Sequence, residues 1–207
     1  MNLRHILFSL LFISFNALGQ VRYIDYPSPF HPTIGTAGMV VSQNQASSDL
    51  GVKILNMGGN AVDAAVAVGF SLAITLPRAG NIGGGGFMLV YLSDEQKTIA
   101  VDFRSSAPQN ISEEDFLFLK DNYDQRRYGY KASGVPGTVA GLLQTHKRFG
   151  KLSLNKILQP VIKQAQNGIR VSYDLNQAIG SADQINLDQE SQKIYYQKVV
   201  QLKSIYL

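Results

Sequence analysis

Cysteine is absent from all 207 residues, which rules out disulfides, thiolate nucleophiles and thiolate metal ligands together. Histidine is scarce as well. The three that occur, His5, His31 and His146, form no H-x-x-x-H pair, so neither a metal site nor a metal cofactor is expected. Charge is thin at 16% of residues, and the formal balance of +4 falls to +3 without Arg4. Lysine and arginine are scattered, with Arg126-Arg127 and Lys147-Arg148 the only adjacent pairs, and aromatics do not interleave with them. A nucleic-acid surface needs both features, so no such partner is expected. The Ala-rich segment Ala61 to Leu76 carries Asp63 and is shorter than the roughly 20 apolar residues a membrane span requires. No internal repeat or low-complexity tract stands out.

At the start of the chain, Arg4 and His5 precede an apolar core from Ile6 to Phe15 and a small-residue site, Ala17-Leu18-Gly19. That is the pattern of a secretory signal peptide over residues 1–19, with Gln20 as the mature terminus. The apolar core is far too short to be an anchor. The protein is therefore expected to be secreted or periplasmic, free of the membrane after cleavage. Residues 20–36 contain Pro27, Pro29 and Pro32 and read as an extended arm.

The rest has the 45% hydrophobic content of a globular protein and alternates between strand and helix patterns, an α/β (α+β) organisation. Gly38 to Ser42 reads as a short buried strand. Ala46 to Met57 has helical spacing and stops at Gly58 and Gly59. Asn60 is a natural N-cap for an Ala- and Val-rich helix from Ala61 to about Thr75, ended by Pro77, and Asp63 suits its first turn. Ser112 opens a short helix, and Lys120 to Lys131 reads as a surface loop. Gly134-Val-Pro-Gly137 reads as a tight turn, Thr138 to Phe149 as a helix closed by Gly150, and Ser153 to Asn167 as a helical stretch broken at Pro160 and closed by Gly168. Thr145-His146 looks like a nucleophile beside a base. Neighbours on a helix point about 100° apart, however, so the pair reads as an exposed helix face.

The most informative stretch runs from Pro77 to Pro108. Four consecutive glycines, Gly83 to Gly86, lead into FMLVYL, a polar break, TIAVDF and then Arg104. The two apolar runs read as a β-hairpin, with Arg104 just past a strand end. Four glycines carry a large entropy cost, so a folded chain keeps them where a Cβ would obstruct a close approach. A flexible linker would not run directly into an apolar strand. A phosphate loop would need G-x-x-x-x-G-K-[ST] and a following helix, and neither is present.

Taken in order, Gly38-Met-Val-Val-Ser, GGNAVDAAVA (58–67), GNIGGGGFMLVY (80–91), DFR (102–104), Ala107-Pro108 and GVPGTVAGL (134–142) resemble the start of the large subunit of the γ-glutamyltranspeptidases. The resemblance holds in register from about Gly35 to Ala178. It implies an N-terminal-nucleophile hydrolase with an α/β/β/α sandwich, incomplete in this chain, of which residues 37–182 are the large-subunit part and 183–207 an incomplete C-terminal segment. It implies a precursor that cleaves itself once. The threonine so exposed at the start of the small subunit attacks the γ-glutamyl amide of glutathione, with its own α-amino group as base. The acyl-enzyme then passes its acyl group to water, an amino acid or a peptide. Glutathione, other γ-glutamyl compounds and the small subunit are the implied partners, with no cofactor.

In this pattern Arg104 matches the arginine that holds the α-carboxylate of the glutamyl group, a task suited to a planar, permanently charged fork. Ser105 stands where the family often has an acidic residue. None of Thr33, Thr36, Thr75, Thr98, Thr138 or Thr145 sits in the family's cleavage context, so no catalytic residue is expected in this chain and the nucleophilic threonine is expected beyond it. Two other classes remain open. One is a related acylase of the same fold, and the other is a non-enzymatic exported binding module. Arg104 favours the transpeptidase, whose acyl group bears a carboxylate.

N-terminal sequencing of the exported protein is expected to read from Gln20, within one or two residues. Recovery of Met1 from a cytoplasmic fraction would overturn the signal-peptide reading.

Overall fold

The computed structural model describes residues 34–121, 125, 127–182, 188–193 and 195. The signal segment 1–19, most of the arm 20–36 and most of the segment 183–207 lie outside the described residues. In chain order the elements are α1 (Gln45–Asn56), α2 (Ala61–Thr75), β1 (Phe87–Leu92), β2 (Lys97–Asp102), α3 (Glu113–Asp121), a 3₁₀ turn (Tyr130–Ala132), α4 (Thr138–Phe149), α5 (Leu154–Asn167) and α6 (Tyr173–Gly180).

Local chemistry sets the helix ends. Asn44 starts α1 by accepting the backbone N–H groups of Ala46 and Ser47 at 3.0 and 3.4 Å. The helix stops before Gly58, whose φ of +87° glycine adopts without strain. Asn60 and Asp63 then form a reciprocal capping box for α2. Asn60 Oδ1 accepts from the Asp63 N–H, and Asp63 Oδ2 from the Asn60 N–H, each at 3.0 Å. The helices expected over Ala46–Met57 and Ala61–Thr75 are thus present, the first shifted by one residue.

Helix α2 has apolar residues nearly all round, and it is covered on two sides. Ala64 and Ala67 pack with Leu50 and Ile54 of α1 and with Ile157 and Val161 of α5. Val62 and Val66 pack with Val90 of β1 and Leu142 of α4. A Cβ on Gly51 would stand 2.7 Å from a Val40 methyl and 2.8 Å from a Val68 methyl, so α1 and α2 approach this closely because that position is glycine. A seam of hydroxyls crosses the same interface. Ser47 Oγ lies 2.8 Å from both Ser71 Oγ and Thr75 Oγ1, and Ser71 donates to Gln164 at 2.7 Å. Every buried side-chain N or O atom among the described residues has a partner, as the cost of an orphan requires.

The hairpin is antiparallel, with Phe87 opposite Asp102 and Leu92 opposite Lys97. Met88, Val90 and Leu92 turn inward to the α2–α4 cluster. Phe87, Leu89 and Tyr91 point the other way and are 66%, 74% and 59% exposed. The described residues therefore form helices over one face of a two-stranded sheet whose other face is open.

Four expectations need correction. Gly38–Ser42 is not a strand, because no described strand runs beside it to supply a ladder; Met39 and Val41 are exposed and Val40 packs toward the core. Gly134–Gly137 is not a tight turn but a crossing segment, in which Val135 pairs antiparallel with Ser106. Pro160 does not break α5, which runs unbroken from Leu154 to Asn167. A proline inside a helix forfeits one i→i−4 bond, and here the buried neighbours Ile157 and Val161 hold the helix in place. Lys120–Lys131 is not simply a loop. Helix α3 extends to Asp121, Gln125 and Arg127 are helical, and Tyr130–Ala132 is a 3₁₀ turn. Polarity in that stretch reports exposure, not backbone shape.

Asp63 does more than cap α2. It is fully buried, and besides Asn60 it accepts the Lys151 N–H at 3.1 Å on each oxygen and the Leu152 N–H at 3.1 Å. His146 Nε2 stands 3.5 Å from Asp63 Oδ1 and 2.9 Å from the Leu152 carbonyl. A carbonyl only accepts, so Nε2 carries a proton and donates. One carboxylate thus joins the start of α2 to the turn between α4 and α5. Replacing Asp63 by Ala strands the N–H groups of Asn60, Lys151 and Leu152. At about 1–3 kcal/mol for each orphan, the loss should reach about 3 kcal/mol or more. Urea unfolding measures it, and an unchanged midpoint would remove Asp63 from the fold's supports.

Candidate functional site

Strand β2 ends at Asp102, and the chain then bends, because Asp102 Oδ1 accepts the Arg104 backbone N–H at 2.9 Å. This leaves the Arg104 side chain exposed beyond the sheet, with no ion pair among the described residues. The neighbouring aspartate is directed to backbone and forms no ion pair with the guanidinium.

The backbone on which Arg104 stands is braced from two sides. On one side lie the glycines. Phe103 donates to the Gly86 carbonyl at 3.0 Å and accepts from the Gly86 N–H at 3.2 Å, which prolongs the hairpin by one pair. A Cβ on Gly85 would stand 2.7 Å from the Phe103 carbonyl oxygen and would also meet Ser105 N. The close approach expected from Gly83–Gly86 is met at Gly85, by the backbone of residues 103–105, and at Gly86, by the Phe103 ring; at Gly84 a Cβ would find only ordinary contacts and at Gly83 only the Asn81 side chain. On the other side, Ser106 and Val135 exchange hydrogen bonds of 3.2 and 2.8 Å. Helix α4 has no side-chain cap, and its Gly137 and Thr138 N–H groups are taken by the Gly84 carbonyl at 2.9 and 3.1 Å. These links are the part that sequence reasoning missed. The available signal was Gly137 directly after Pro136 and before a helix with no capping side chain.

Other candidates do not join Arg104. Thr145-His146 is not on an exposed face, contrary to expectation. Thr145 is completely buried and donates to the Gly141 carbonyl at 2.7 Å, while the His146 side chain is only 12% exposed. The reason is that α4 buries Gly141, Leu142 and Thr145 as one stripe, and Thr145 satisfies its hydroxyl within its own helix. With Thr145 bonded to Gly141 and His146 to Leu152, the two do not form a nucleophile–base pair. Thr75 is likewise buried and bonded to Ser71, and Thr36 and Thr98 are exposed. A hollow of about 770 Å³ is lined mostly by Ala, Val, Leu and Gly, with Phe103 but not Arg104 in its wall. It is an apolar recess next to the arginine and not a carboxylate site. No group of three or more metal-ligating side chains gathers among the described residues, and no described helix is long and apolar enough to cross a membrane.

The family model for gamma-glutamyltranspeptidase matches residues 47–205. The glutathione hydrolase proenzyme of Escherichia coli K12 is 47% identical over 145 residues, which is 69% of this chain and 25% of that protein. Among solved structures, Helicobacter pylori gamma-glutamyltranspeptidase superposes with a TM-score of 0.71 at 38% identity, over 80% of this chain and 47% of the other. A cephalosporin acylase from Bacillus halodurans superposes at 0.69 with 27% identity, over 80% of this chain and 31% of the other. The chain spans about a quarter of the length of the curated relatives it matches.

Proposed function

The chain belongs to the gamma-glutamyltranspeptidase family, and its layers are part of an N-terminal-nucleophile hydrolase fold; from that premise we propose that it supplies the carboxylate-binding arginine of a glutathione-cleaving enzyme. Arg104 holds the α-carboxylate of the γ-glutamyl group. The enzyme breaks the γ-glutamyl bond through a threonine acyl-enzyme and passes the glutamyl group to water, an amino acid or a peptide. The small subunit of the same precursor is the partner, and the reaction takes place outside the cytoplasm.

One observation carries this reading. Arg104 presents an exposed guanidinium, without an ion pair among the described residues, on backbone braced by Gly84–Gly86 and by Val135. A guanidinium fork on a fixed base can grip a carboxylate with two parallel charge-assisted bonds. Gripping the α-carboxylate orients the γ-amide toward the nucleophile, so binding energy from a remote group serves the reacting bond. A related acylase is the second reading, favoured by the likeness to the cephalosporin acylase. It leaves the unoccupied fork without a task.

Within these 207 residues, the buried hydroxyls of Thr75 and Thr145 are engaged by backbone carbonyls. No nucleophile, base and oxyanion donors converge among the described residues, so the reading places the nucleophile in the small subunit.

Two measurements test the proposal. In the full-length precursor carrying this sequence, Arg104→Lys keeps the charge but loses the fork. KM for glutathione is expected to rise about tenfold or more, for the loss of roughly 1.5–3 kcal/mol of charge-assisted bonding. An unchanged KM would take Arg104 out of the site, and assays with other amide substrates separate transpeptidase from acylase. The second measurement compares the isolated 207-residue chain with the chain mixed with a separately made small subunit. No glutathione hydrolysis is expected from the isolated chain. Turnover by it alone would refute the placement of the nucleophile.

A further inference from the structure

We propose that Phe103 is a positioning residue for Arg104, wedged by Gly141 of α4, and that this contact sets the enzyme's selectivity for acyl groups bearing an α-carboxylate. The inference rests on the reading of Arg104 as the carboxylate ligand and goes beyond it by naming what aims the fork.

Phe103 is enclosed by glycines. On the hairpin side, a Cβ on Gly86 would stand 2.9 and 3.3 Å from ring atoms Cε2 and Cζ. On the helix side, a Cβ on Gly141 would overlap Phe103 Cβ, Cγ and Cδ1, and one on Gly137 would overlap the Phe103 carbonyl oxygen. Real Cβ atoms do not come so close, so both sides lie against Phe103 because they lack side chains. Its backbone is also held by the two hydrogen bonds to Gly86. One peptide bond separates Phe103 from Arg104, so a shift of Phe103 moves the base of the fork directly.

The helix side is firm. At its N-terminus α4 is tied to the Gly84 carbonyl, and at its other end His146 bonds the Leu152 carbonyl next to buried Asp63. A methyl group added at Gly141 therefore displaces Phe103 more readily than it displaces α4. Alanine is also the better helix former, so the substitution does not weaken α4 by itself. These two facts separate the placement of Arg104 from the stability of the helix. Two-pronged binding of a carboxylate depends on direction, so a small misplacement of the fork weakens its grip on the carboxylate.

The test uses the full-length precursor after maturation. Two substrates are compared: glutathione, and a 4-aminobutyryl amide that is the γ-glutamyl group without its α-carboxylate. Gly141→Ala is expected to raise KM for glutathione about tenfold with kcat changed less than about threefold, and to leave kcat/KM for the 4-aminobutyryl amide unaltered. Phe103→Leu alone should raise KM for glutathione severalfold by leaving a gap. A role in stability alone would reduce activity on both substrates together, and that result overturns the proposal. So does a normal KM in Gly141→Ala when Arg104→Lys raises it. If Arg104→Lys also leaves KM unchanged, the carboxylate reading fails and this inference falls with it. Should Gly141→Ala not accumulate, Phe103→Leu decides alone, and a wild-type KM there overturns the proposal.

Discussion

Burial of α2 on both faces is the constraint from which the rest of this structure follows. A helix without a polar stripe must be covered all round. Here α1 and α5 take one side while the hairpin and α4 take the other. Its start carries the fully buried carboxylate of Asp63, whose oxygens accept backbone N–H groups from Asn60 at the cap and from Lys151 and Leu152 in the α4–α5 turn. The cap of α2 therefore fixes the end of α4. The beginning of α4 in turn abuts Gly84 and Phe103. A mechanical path thus runs from buried α2 to exposed Arg104.

Much of this is legible in the sequence, and the legible parts share a cause. The hairpin, the capped α2 and α4 closed by Gly150 are specified by residues near one another in the chain, through alternation, capping and helix-stopping. The glycine run could be read as a close approach because four glycines in a row have few other uses in a folded chain. The partner of that approach could not be read. It is the backbone of residues 103–105 and the N-terminus of α4, which the fold alone brings together.

The misreadings follow the same division. Thr145-His146 looks exposed if polarity is weighed, yet Thr145 lies on the stripe of Leu142 and finds its acceptor within its own helix. Pro160 looks like a break, yet α5 is held by Ile157 and Val161 against α2. Gly38–Ser42 has strand composition but no neighbour to pair with among the described residues. Helix α6 had a readable signal that went unread. Ser172 caps it by accepting the Leu175 N–H at 3.1 Å, and Leu175 and Ile179 stand four apart on its buried side.

The hairpin's outer face shows how the two scales meet. An isolated pair of strands is marginal in water, and among the described residues this one is supported on the side of Met88, Val90 and Leu92. On the other side, Phe87, Leu89 and Tyr91 present three large apolar side chains that a solvent-facing strand would replace with polar ones. Alternation within β1 is therefore between two apolar faces, which is the pattern of a strand inside a sandwich and not at its surface. An α/β/β/α sandwich packs a second sheet against such a face. Arg104 emerges at the end of the same hairpin, so the strand pair that would meet the second sheet also carries the fork. On the proposed reading of Arg104, its grip on a carboxylate and the packing of a second sheet would both depend on this one hairpin, six residues in each strand.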